Sequence, residues 1–160
     1  MNQEIPNEAR YDRIGSHGAN LVRRLSKDGH QCIVYDVNPA ISEAFAVDII
    51  AGVSVAPSLE EMLAQLNEPR IVWIMIPASV VGQTIDKLAT YLTPDDIIID
   101  GGNSYYRDDI LRASMLSSLG IHYIDCGTSG GVFGLDFGYC LMLGGVEKIV
   151  SYSDFLLVTG

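Results

Sequence analysis

The sequence has few basic residues and no long apolar run, and each shortage excludes a class of protein. Ten Lys and Arg stand against 20 Asp and Glu, so the formal net charge is −10. Nucleic acid binds to basic surfaces and is therefore not an expected partner. The longest apolar run extends only from Ile71 to Ala78, whereas a membrane-spanning helix needs about 20 such residues. We therefore expect a globular domain that contacts neither nucleic acid nor a membrane.

Cysteine is also scarce. Cys32, Cys126 and Cys140 are the three cysteines of the chain, and they form no C-x-x-C pair. This spacing predicts neither a disulfide framework nor a zinc site, so no metal is expected. Each cysteine lies in or beside an apolar run, which predicts buried thiols. We therefore predict a reducing, cytoplasmic setting.

Strand and helix patterns alternate along the 160 residues, 48% of which are hydrophobic. Short connections between alternating strands and helices are typical of right-handed βαβ crossovers. We therefore predict an α/β fold, a doubly wound parallel sheet, with its ligands beyond the carboxyl ends of the strands. Apolar or β-branched runs predict strands at 32–35, 71–76, 97–99, 121–126 and 139–143. Apolar residues at helical spacing predict helices around 19–25, 81–92 and 111–119.

Local signals mark where helices begin and end. Gly29 is a predicted C-cap for the first helix. Asn38 followed by Pro39 predicts the cap and first position of a second helix. Ser58 to Glu61 has the pattern of a capping box for a third.

A glycine-rich turn, Gly15-Ser16-His17-Gly18, precedes the first helix. Free N–H groups and the positive dipole end of a helix make such a turn suitable for a pyrophosphate. The dinucleotide fingerprint is G-x-G-x-x-G. Gly15 and Gly18 meet its second and third positions, and Arg13 occupies the first. The pattern predicts a Rossmann-like nucleotide site with a departure at its tightest point.

Asp36 ends the second predicted strand, at about the 20-residue distance expected for the acid that binds the ribose. A carboxylate there accepts bonds from ribose hydroxyls and repels a 2′-phosphate, so it favours NAD over NADP. The alternative is that Asp36 only caps the turn at Asn38 and Pro39.

Two later strands end in glycines, which let backbone amides approach a ligand closely. The first leads into Asp100-Gly101-Gly102-Asn103-Ser104, where Asn103 offers both a donor and an acceptor to a substrate hydroxyl. The second leads into Gly127 and Thr128, after which Ser129 and the amides of Gly130 and Gly131 could hold a carboxylate. These segments could also be turns and caps, with Asn103 or Ser104 capping a helix that begins near Tyr105.

These segments resemble the 6-phosphogluconate dehydrogenase family, and more narrowly its shorter bacterial form. The resemblance runs from about Ile14 to about Gly145, and it rests on residues 18–25, 34–36, 100–106 and 127–131. It implies oxidation of the C3 hydroxyl of 6-phosphogluconate by hydride transfer to NAD or NADP, followed by loss of CO₂ to give ribulose 5-phosphate. A related 3-hydroxyacid dehydrogenase domain is an alternative, because the glycine turn is shared with that group.

The resemblance also implies roles for individual residues. Asn103 would contact the substrate and the nicotinamide, and would be the catalytic residue of this domain. The substrate would be held by Ser129, Gly130 and Gly131. The cofactor would lie against Gly15, Gly18 and Asp36 and, at the end of the middle strand, against Met75, Ile76, Pro77 and Ala78.

The first strand departs from the family pattern. Residues 7–13 carry four charged side chains where the family has an apolar strand. A buried parallel strand is ordinarily almost all apolar, and unpaired buried charge is costly. We therefore treat residues 1–13 as an atypical N-terminal segment. Either this segment forms a poor substitute strand or the sheet lacks its centre.

The C-terminal part departs as well. We assign residues 14–145 to the NAD(P)-binding domain and residues 146–160 to a divergent tail. The resemblance implies a helical domain that supplies the general-base lysine, the general-acid glutamate and the homodimer contacts of the family, and we expect no counterpart of it in residues 146–160. Lys148 follows the last strand and is not a substitute for that base. We expect this chain alone to be inactive; the alternatives are a non-catalytic module that binds a dinucleotide or sugar acid, or a truncated gene product.

Overall fold

The computed structural model describes residues 8–12, 16–47, 50–130 and 133–157. Seven strands and seven helices lie within these ranges. The strands are β1 (Glu8–Asp12), β2 (Gln31–Tyr35), β3 (Val53–Val55), β4 (Ile71–Ile74), β5 (Ile97–Asp100), β6 (His122–Ser129) and β7 (Cys140–Gly144). The helices are α1 (Ser16–Lys27), α2 (Pro39–Val47), α3 (Leu59–Ala64), α4 (Ala78–Ala89), α5 (Tyr106–Ser118), α6 (Gly134–Phe137) and α7 (Glu147–Leu157).

The strands form one sheet in the order β3-β2-β1-β4-β5-β6-β7. All neighbours are parallel except β6 and β7, which are antiparallel. The chain moves outward in one direction through β2 and β3, then returns to β4 and moves in the other direction. The topological switch point therefore lies between β1 and β4, which is where doubly wound sheets open a crevice for ligands. The predicted fold class is confirmed.

The centre of the sheet is present. β1 pairs with β2 along its whole length, from Glu8 opposite Gln31 to Asp12 opposite Tyr35. On its other side β1 pairs with β4 only at Tyr11 and Asp12. Two alternatives followed from the polar sequence of this segment. The alternative that the sheet lacks its central strand is wrong, because the atypical segment forms that strand.

The strands beside this centre are fully buried, as their apolar sequences predict. Every residue of β4 and of β5 is buried. The core has one cluster on each face of the sheet. Val81, Ile85 and Leu88 of α4 belong to the first cluster, and Val22 and Leu25 of α1 belong to the second. Apolar strands with helices on both faces are what a parallel sheet requires.

The three local helix signals are confirmed. Gly29 follows α1 with a φ of +86°, which favours glycine, and its N–H donates to the carbonyl of Ser26. The side chain of Asn38 accepts from the N–H of Ala40 at 3.1 Å. Ser58 Oγ accepts from the N–H of Glu61 at 3.1 Å, so Ser58 is the N-cap of α3.

The stripe that predicted α5 is exposed, and one expectation about burial, that of Cys140, is wrong. Leu111, Met115 and Leu119, the stripe that predicted α5, are 69%, 39% and 48% exposed, and α5 instead buries Asp109 and Leu116. Cys32 and Cys126 are buried, but Cys140 is exposed because it begins β7, which forms the end of the sheet. No helix in the described ranges is long and apolar enough to cross a membrane.

Candidate cofactor and substrate site

The predicted site segments follow β1, β2, β4 and β5, which are neighbours in the sheet and are parallel. Their carboxyl ends therefore meet at one edge and span about 14 Å, given about 4.8 Å between strands. Gly18 is buried in the first turn of α1, directly after β1. Arg13, Gly15 and Gly131 lie outside the described residues.

Asp36 lies just beyond the end of β2 and borders a cavity of about 400 Å³. Its side chain is buried, and Oδ1 accepts a bond of 2.7 Å from the N–H of Asn38. The capping role that was considered as an alternative is therefore present. This one bond leaves other acceptor positions of the carboxylate open, since its two oxygens offer about four such positions. The remaining capacity is available to a ligand hydroxyl.

The walls of this cavity are apolar apart from a few polar groups. Glu43 is the second carboxylate that borders it, and no Lys or Arg is among its described lining residues. The other lining residues are Tyr35, Val37, Pro39, Ser42, Ala46, Val55, Ala56 and Pro57. Apolar walls with a few placed polar groups are typical of small-molecule sites of this volume.

The end of β4 and the glycine loop after β5 are brought into contact. A Cβ at Gly102 would lie 2.9 Å from the carbonyl oxygen of Ile76, and a Cβ at Gly101 would overlap Trp73 Nε1 and Met75 Sδ. Only glycine permits this approach. The structure therefore brings the 101–102 loop against the Ile76 segment, as the predicted site requires. Ile76 is buried, whereas Pro77 and Ala78 at the start of α4 are exposed.

Asp100 organises the loop that carries Asn103. Its carboxylate is completely buried; Oδ1 accepts from the N–H of Gly102 at 2.9 Å, and Oδ2 accepts from Ser104 Oγ at 2.9 Å. Asn103 lies between these two anchored residues and is exposed. The alternative that Asn103 or Ser104 caps α5 is wrong. The N-cap is Tyr105, which makes no side-chain capping bond.

A second group of charged residues lies behind Asp100. The hydroxyl oxygen of Tyr123 is 2.9 Å from both Asp100 Oδ2 and Asp109 Oδ1. Arg112 Nη1 lies 2.9 Å from Asp109 Oδ1 and 3.9 Å from Asp100 Oδ2. Burial, together with the negative charges of Asp100 and Asp109, raises the pKa of Tyr123 far above its ordinary value. The hydroxyl therefore remains a donor. Burial and the same two carboxylates also raise the pKa of Asp125.

At the carboxyl edge of the sheet, β6 extends beyond the last residue of β5. Asp125 pairs with Asp100, the last residue of β5, and β6 then continues to Ser129 beside β7. Ser129 and Gly130 are exposed, and Gly130 has a φ of +145°. A Cβ at Gly130 would lie 2.9 Å from the ring of Tyr139. Ser129 and Gly130 thus lie at the same edge as Asn103, and no hydrogen bond between described residues links them to its loop.

Lys148 lies at the opposite edge. It borders a cavity of about 150 Å³ with Pro69, Asp95, Ile97 and His122, residues at or before the starts of the strands. It is therefore far from the candidate site.

Four residues of this edge were missed from the sequence: Glu43, Asp109, Arg112 and Tyr123. Asp109 and Arg112 carried only a partial signal: they are three residues apart and therefore share one face of α5, but the spacing does not show that this face meets the sheet. Charged residues are seldom buried unless they are paired. Glu43 and Tyr123 carried no comparable signal, since their neighbours along the chain do not reveal what they face.

Comparison with known proteins identifies the family of this chain. Residues 14–158 match the model of the NAD binding domain of 6-phosphogluconate dehydrogenase. The NAD(+)-dependent, decarboxylating 6-phosphogluconate dehydrogenase of Haloferax volcanii is 36% identical over 135 residues, which are 84% of this chain and 43% of that protein. The decarboxylating enzyme of Haemophilus influenzae is 36% identical over 138 residues, 84% of this chain and 28% of that protein. The chain spans less than half the length of these curated relatives.

Solved structures show the same fold. A 6-phosphogluconate dehydrogenase of Plasmodium falciparum superimposes with a TM-score of 0.88 at 26% identity, covering 94% of this chain and 33% of that one. A 3-hydroxyisobutyrate dehydrogenase of Mycobacterium tuberculosis superimposes with a TM-score of 0.84 at 23% identity, covering 96% and 51%. The family match includes every described element after β1. The chain therefore belongs to the NAD-binding domain family of 6-phosphogluconate dehydrogenase.

Proposed function

We propose that this domain binds NAD in preference to NADP and forms the cofactor half of an enzyme that oxidises 6-phosphogluconate. The observation that carries the proposal is the buried Asp36 beside a cavity of about 400 Å³, one strand away from the switch point of the sheet. The apolar walls suit an adenine, and the remaining acceptor positions of Asp36 suit the two ribose hydroxyls.

The charge of this cavity supports the preference for NAD. NADP carries a phosphate on the 2′ oxygen, where it would lie near both Asp36 and Glu43. An NADP site ordinarily supplies an arginine for that phosphate, and the described lining has none. Two carboxylates without a cation would repel it.

The substrate part of the proposal concerns Asn103, Ser129, Gly130 and Gly131. Asn103 is exposed at the same edge, on a loop that approaches Ile76, and the proposed nicotinamide position is between them. The P. falciparum relative has been solved with NADP+ and with 6-phosphogluconate. By analogy, Asn103 would contact both substrate and nicotinamide, while Ser129 and the two glycines would hold the substrate. Gly15, Gly18 and the 76–78 segment would hold the dinucleotide.

Isothermal titration calorimetry with NADH and NADPH tests cofactor binding. We expect the chain to bind NADH more tightly than NADPH. Asp36→Ala should narrow that preference, because it removes both a ribose acceptor and a negative charge. Asp86→Ala, at an exposed position of α4, is the matched control. Flat titrations with both cofactors at millimolar concentration would refute the proposal, and an unchanged preference in Asp36→Ala would refute the role of that residue.

Catalysis by this chain alone is a separate matter. We expect no NADH production from 6-phosphogluconate and NAD, because hydroxyl oxidation needs a positioned base and Lys148 lies at the opposite edge. Clear turnover would contradict this expectation. We also propose a cytoplasmic setting, which the three free cysteines support.

A further inference from the structure

The loop that carries Asn103 is held from behind by Asp100 and by the residues that contact its carboxylate. Both of its anchoring bonds end on Asp100, whose side chain is completely buried. Asp100 in turn lies beside Tyr123, a residue of β6 that is only 7% exposed. Tyr123 also borders a cavity of about 290 Å³ whose described lining does not include Asn103, so it can influence a ligand at Asn103 only through the groups that it orients.

We propose that Tyr123 is a positioning residue for Asn103 and that it acts through Asp100 and Ser104. This inference rests on the proposed function, since it assumes that Asn103 faces the nicotinamide. The chain of contacts is short. The Tyr123 hydroxyl bonds to Asp100 Oδ2, the same oxygen accepts from Ser104 Oγ, and Ser104 directly follows Asn103.

The distribution of charge directs the Tyr123 hydrogen to Asp100. A hydroxyl has one hydrogen, and Tyr123 lies equally close to Asp100 and Asp109. Asp109 already receives a charged donor, because Arg112 Nη1 is 2.9 Å from it, whereas Arg112 is 3.9 Å from Asp100. Arg112 thus compensates the charge of Asp109, whereas the close donors of Asp100, the Gly102 N–H and Ser104 Oγ, are neutral, so the hydroxyl hydrogen is needed more at Asp100. Asp109 and Arg112 support this arrangement from α5.

The geometry of the loop explains why this bond matters. Gly102 and Ser104 flank Asn103, and each is bonded to a different oxygen of one carboxylate. Rotation of that carboxylate would therefore break both bonds together. Tyr123 bonds to the oxygen that Ser104 uses and opposes this rotation. Without the hydroxyl, the Asn103 amide would have more orientations to lose when a ligand binds.

The test compares two ligands that differ in the part which Asn103 is proposed to meet. ADP-ribose shares the adenosine and pyrophosphate of NADH but lacks the nicotinamide. Tyr123→Phe keeps the buried ring and removes only the hydroxyl. We expect it to weaken NADH binding about three- to tenfold, which is the loss of one hydrogen bond, and to leave ADP-ribose binding unchanged. Ser104→Ala, on the loop itself, should have the same selective effect.

Two controls separate positioning from general destabilisation. Tyr91→Phe removes another hydroxyl that donates to a carboxylate, that of Glu60, at the far end of α4, and should change neither affinity. In a double-mutant cycle, Tyr123→Phe should weaken NADH binding much less when Asn103→Ala is already present, because the two act on one contact. Amide hydrogen exchange at Gly102 should also become faster in Tyr123→Phe by more than the change in global stability accounts for.

Three results would overturn the inference and leave the proposal of cofactor binding intact. They are an equal loss of affinity for NADH and ADP-ribose in Tyr123→Phe, no loss of affinity for either ligand, and full additivity of Tyr123→Phe with Asn103→Ala. If the unsubstituted chain binds neither ligand, the proposed function fails and the inference fails with it. The two failures are thus distinguished by the unsubstituted chain alone.

Discussion

The two ends of β5 each carry a completely buried aspartate, Asp96 just before the strand and Asp100 at its last residue. The carboxylate of Asp96 accepts hydrogen bonds from the N–H and Nη1 of Arg70, at 2.7 and 3.0 Å, and from the N–H of Thr93 at 2.9 Å. The carboxylate of Asp100 accepts hydrogen bonds from the N–H of Gly102 and from the hydroxyls of Ser104 and Tyr123. The residue type and the burial are the same, but the donors differ.

The difference lies in what each carboxylate orders. The partners of Asp96 are the residue before β4 and a turn before β5, so it joins two structural segments at the amino edge of the sheet. Its charge is matched by Arg70. The partners of Asp100 flank Asn103 at the carboxyl edge, and the nearby Asp109 and Asp125 add further negative charge. We therefore expect the buried Asp96 at the amino edge to serve stability and the buried Asp100 at the carboxyl edge to serve the proposed site.

Asp96→Asn should have the largest effect on stability. One of its two polar side-chain atoms would become an NH₂ group that faces N–H donors, and Arg70 would lose its buried partner. We expect a loss of about 3–5 kcal/mol in the free energy of unfolding, measured by urea denaturation. Asp95→Asn, at the exposed neighbouring position, should change it by less than about 0.5 kcal/mol. Weaker NADH binding by folded Asp96→Asn would contradict the division between the two edges.

Gly101→Ala should have the next largest effect. The new methyl group would overlap Trp73 and Met75, and over-packing of a core costs about 1–3 kcal/mol. Gly82→Ala provides a control of opposite sign. It lies inside α4 with open space at its Cβ position, so alanine should stabilise the protein by up to about 1 kcal/mol. Thermal unfolding and the emission of Trp73 would report both changes. A stable Gly101→Ala variant would show that the loop does not need its close approach.

Asp125→Asn should raise stability at pH 7, in contrast to Asp96→Asn. The pKa of Asp125 is raised in the folded protein, so its contribution is complete below its ordinary pKa of 3.8 and is lost as the pH rises through the folded value. The Asp125→Asn variant has no carboxyl group to titrate at this position, so it does not lose this stability as the pH rises. The gain in Tm should be present at pH 7 and absent near pH 3, with Asp136→Asn, at an exposed position, as control. A lower Tm at pH 7 would show that the charge of Asp125 stabilises this edge.

Tyr91→Phe should have the smallest effect. The hydrogen bond from Tyr91, first among several causes, lowers the pKa of the exposed Glu60 carboxyl to about 2. Removal of the hydroxyl should raise this pKa toward its ordinary value of 4.5, as measured by NMR titration, with almost no change in stability. Tyr123→Phe, in contrast, is expected to weaken NADH binding selectively. Of these two tyrosines only the buried Tyr123 lies at the carboxyl edge, so this contrast would sharpen the comparison between the two edges of the sheet.

Much of the fold was predictable because its signals are local. Ile71–Ile74 and Ile97–Ile99 are apolar on both faces, and only the interior of a parallel sheet accommodates such strands. Gly101 and Gly102 were predicted to admit a ligand, and the structure adds another reason for glycine there, which is the close approach of Trp73, Met75 and Ile76.

Other features were misread because they depend on contacts far apart in the chain. The apolar stripe of α5 was a sound signal for a helix, but the buried face is the one that presents Asp109 and Leu116. Asp109 is buried because its partner Tyr123 is on β6, 14 residues away along the chain. Helical spacing shows which residues share a face, not which face meets the sheet.

The sequence by itself did not predict β3, α6 or α7, but it determined strands β2 and β4 to β7, helices α1 to α5, the caps at Gly29, Asn38 and Ser58, and the family to which the domain belongs. Each of these follows from residues that are close along the chain. Only the tertiary structure decided that the polar segment Glu8–Asp12 completes the centre of the sheet, and that Asp100, Asp109 and Tyr123 come together behind Asn103. The reason is that pairing between strands and the sharing of one hydroxyl by two carboxylates depend on distances in space, which the spacing of residues along a chain does not contain.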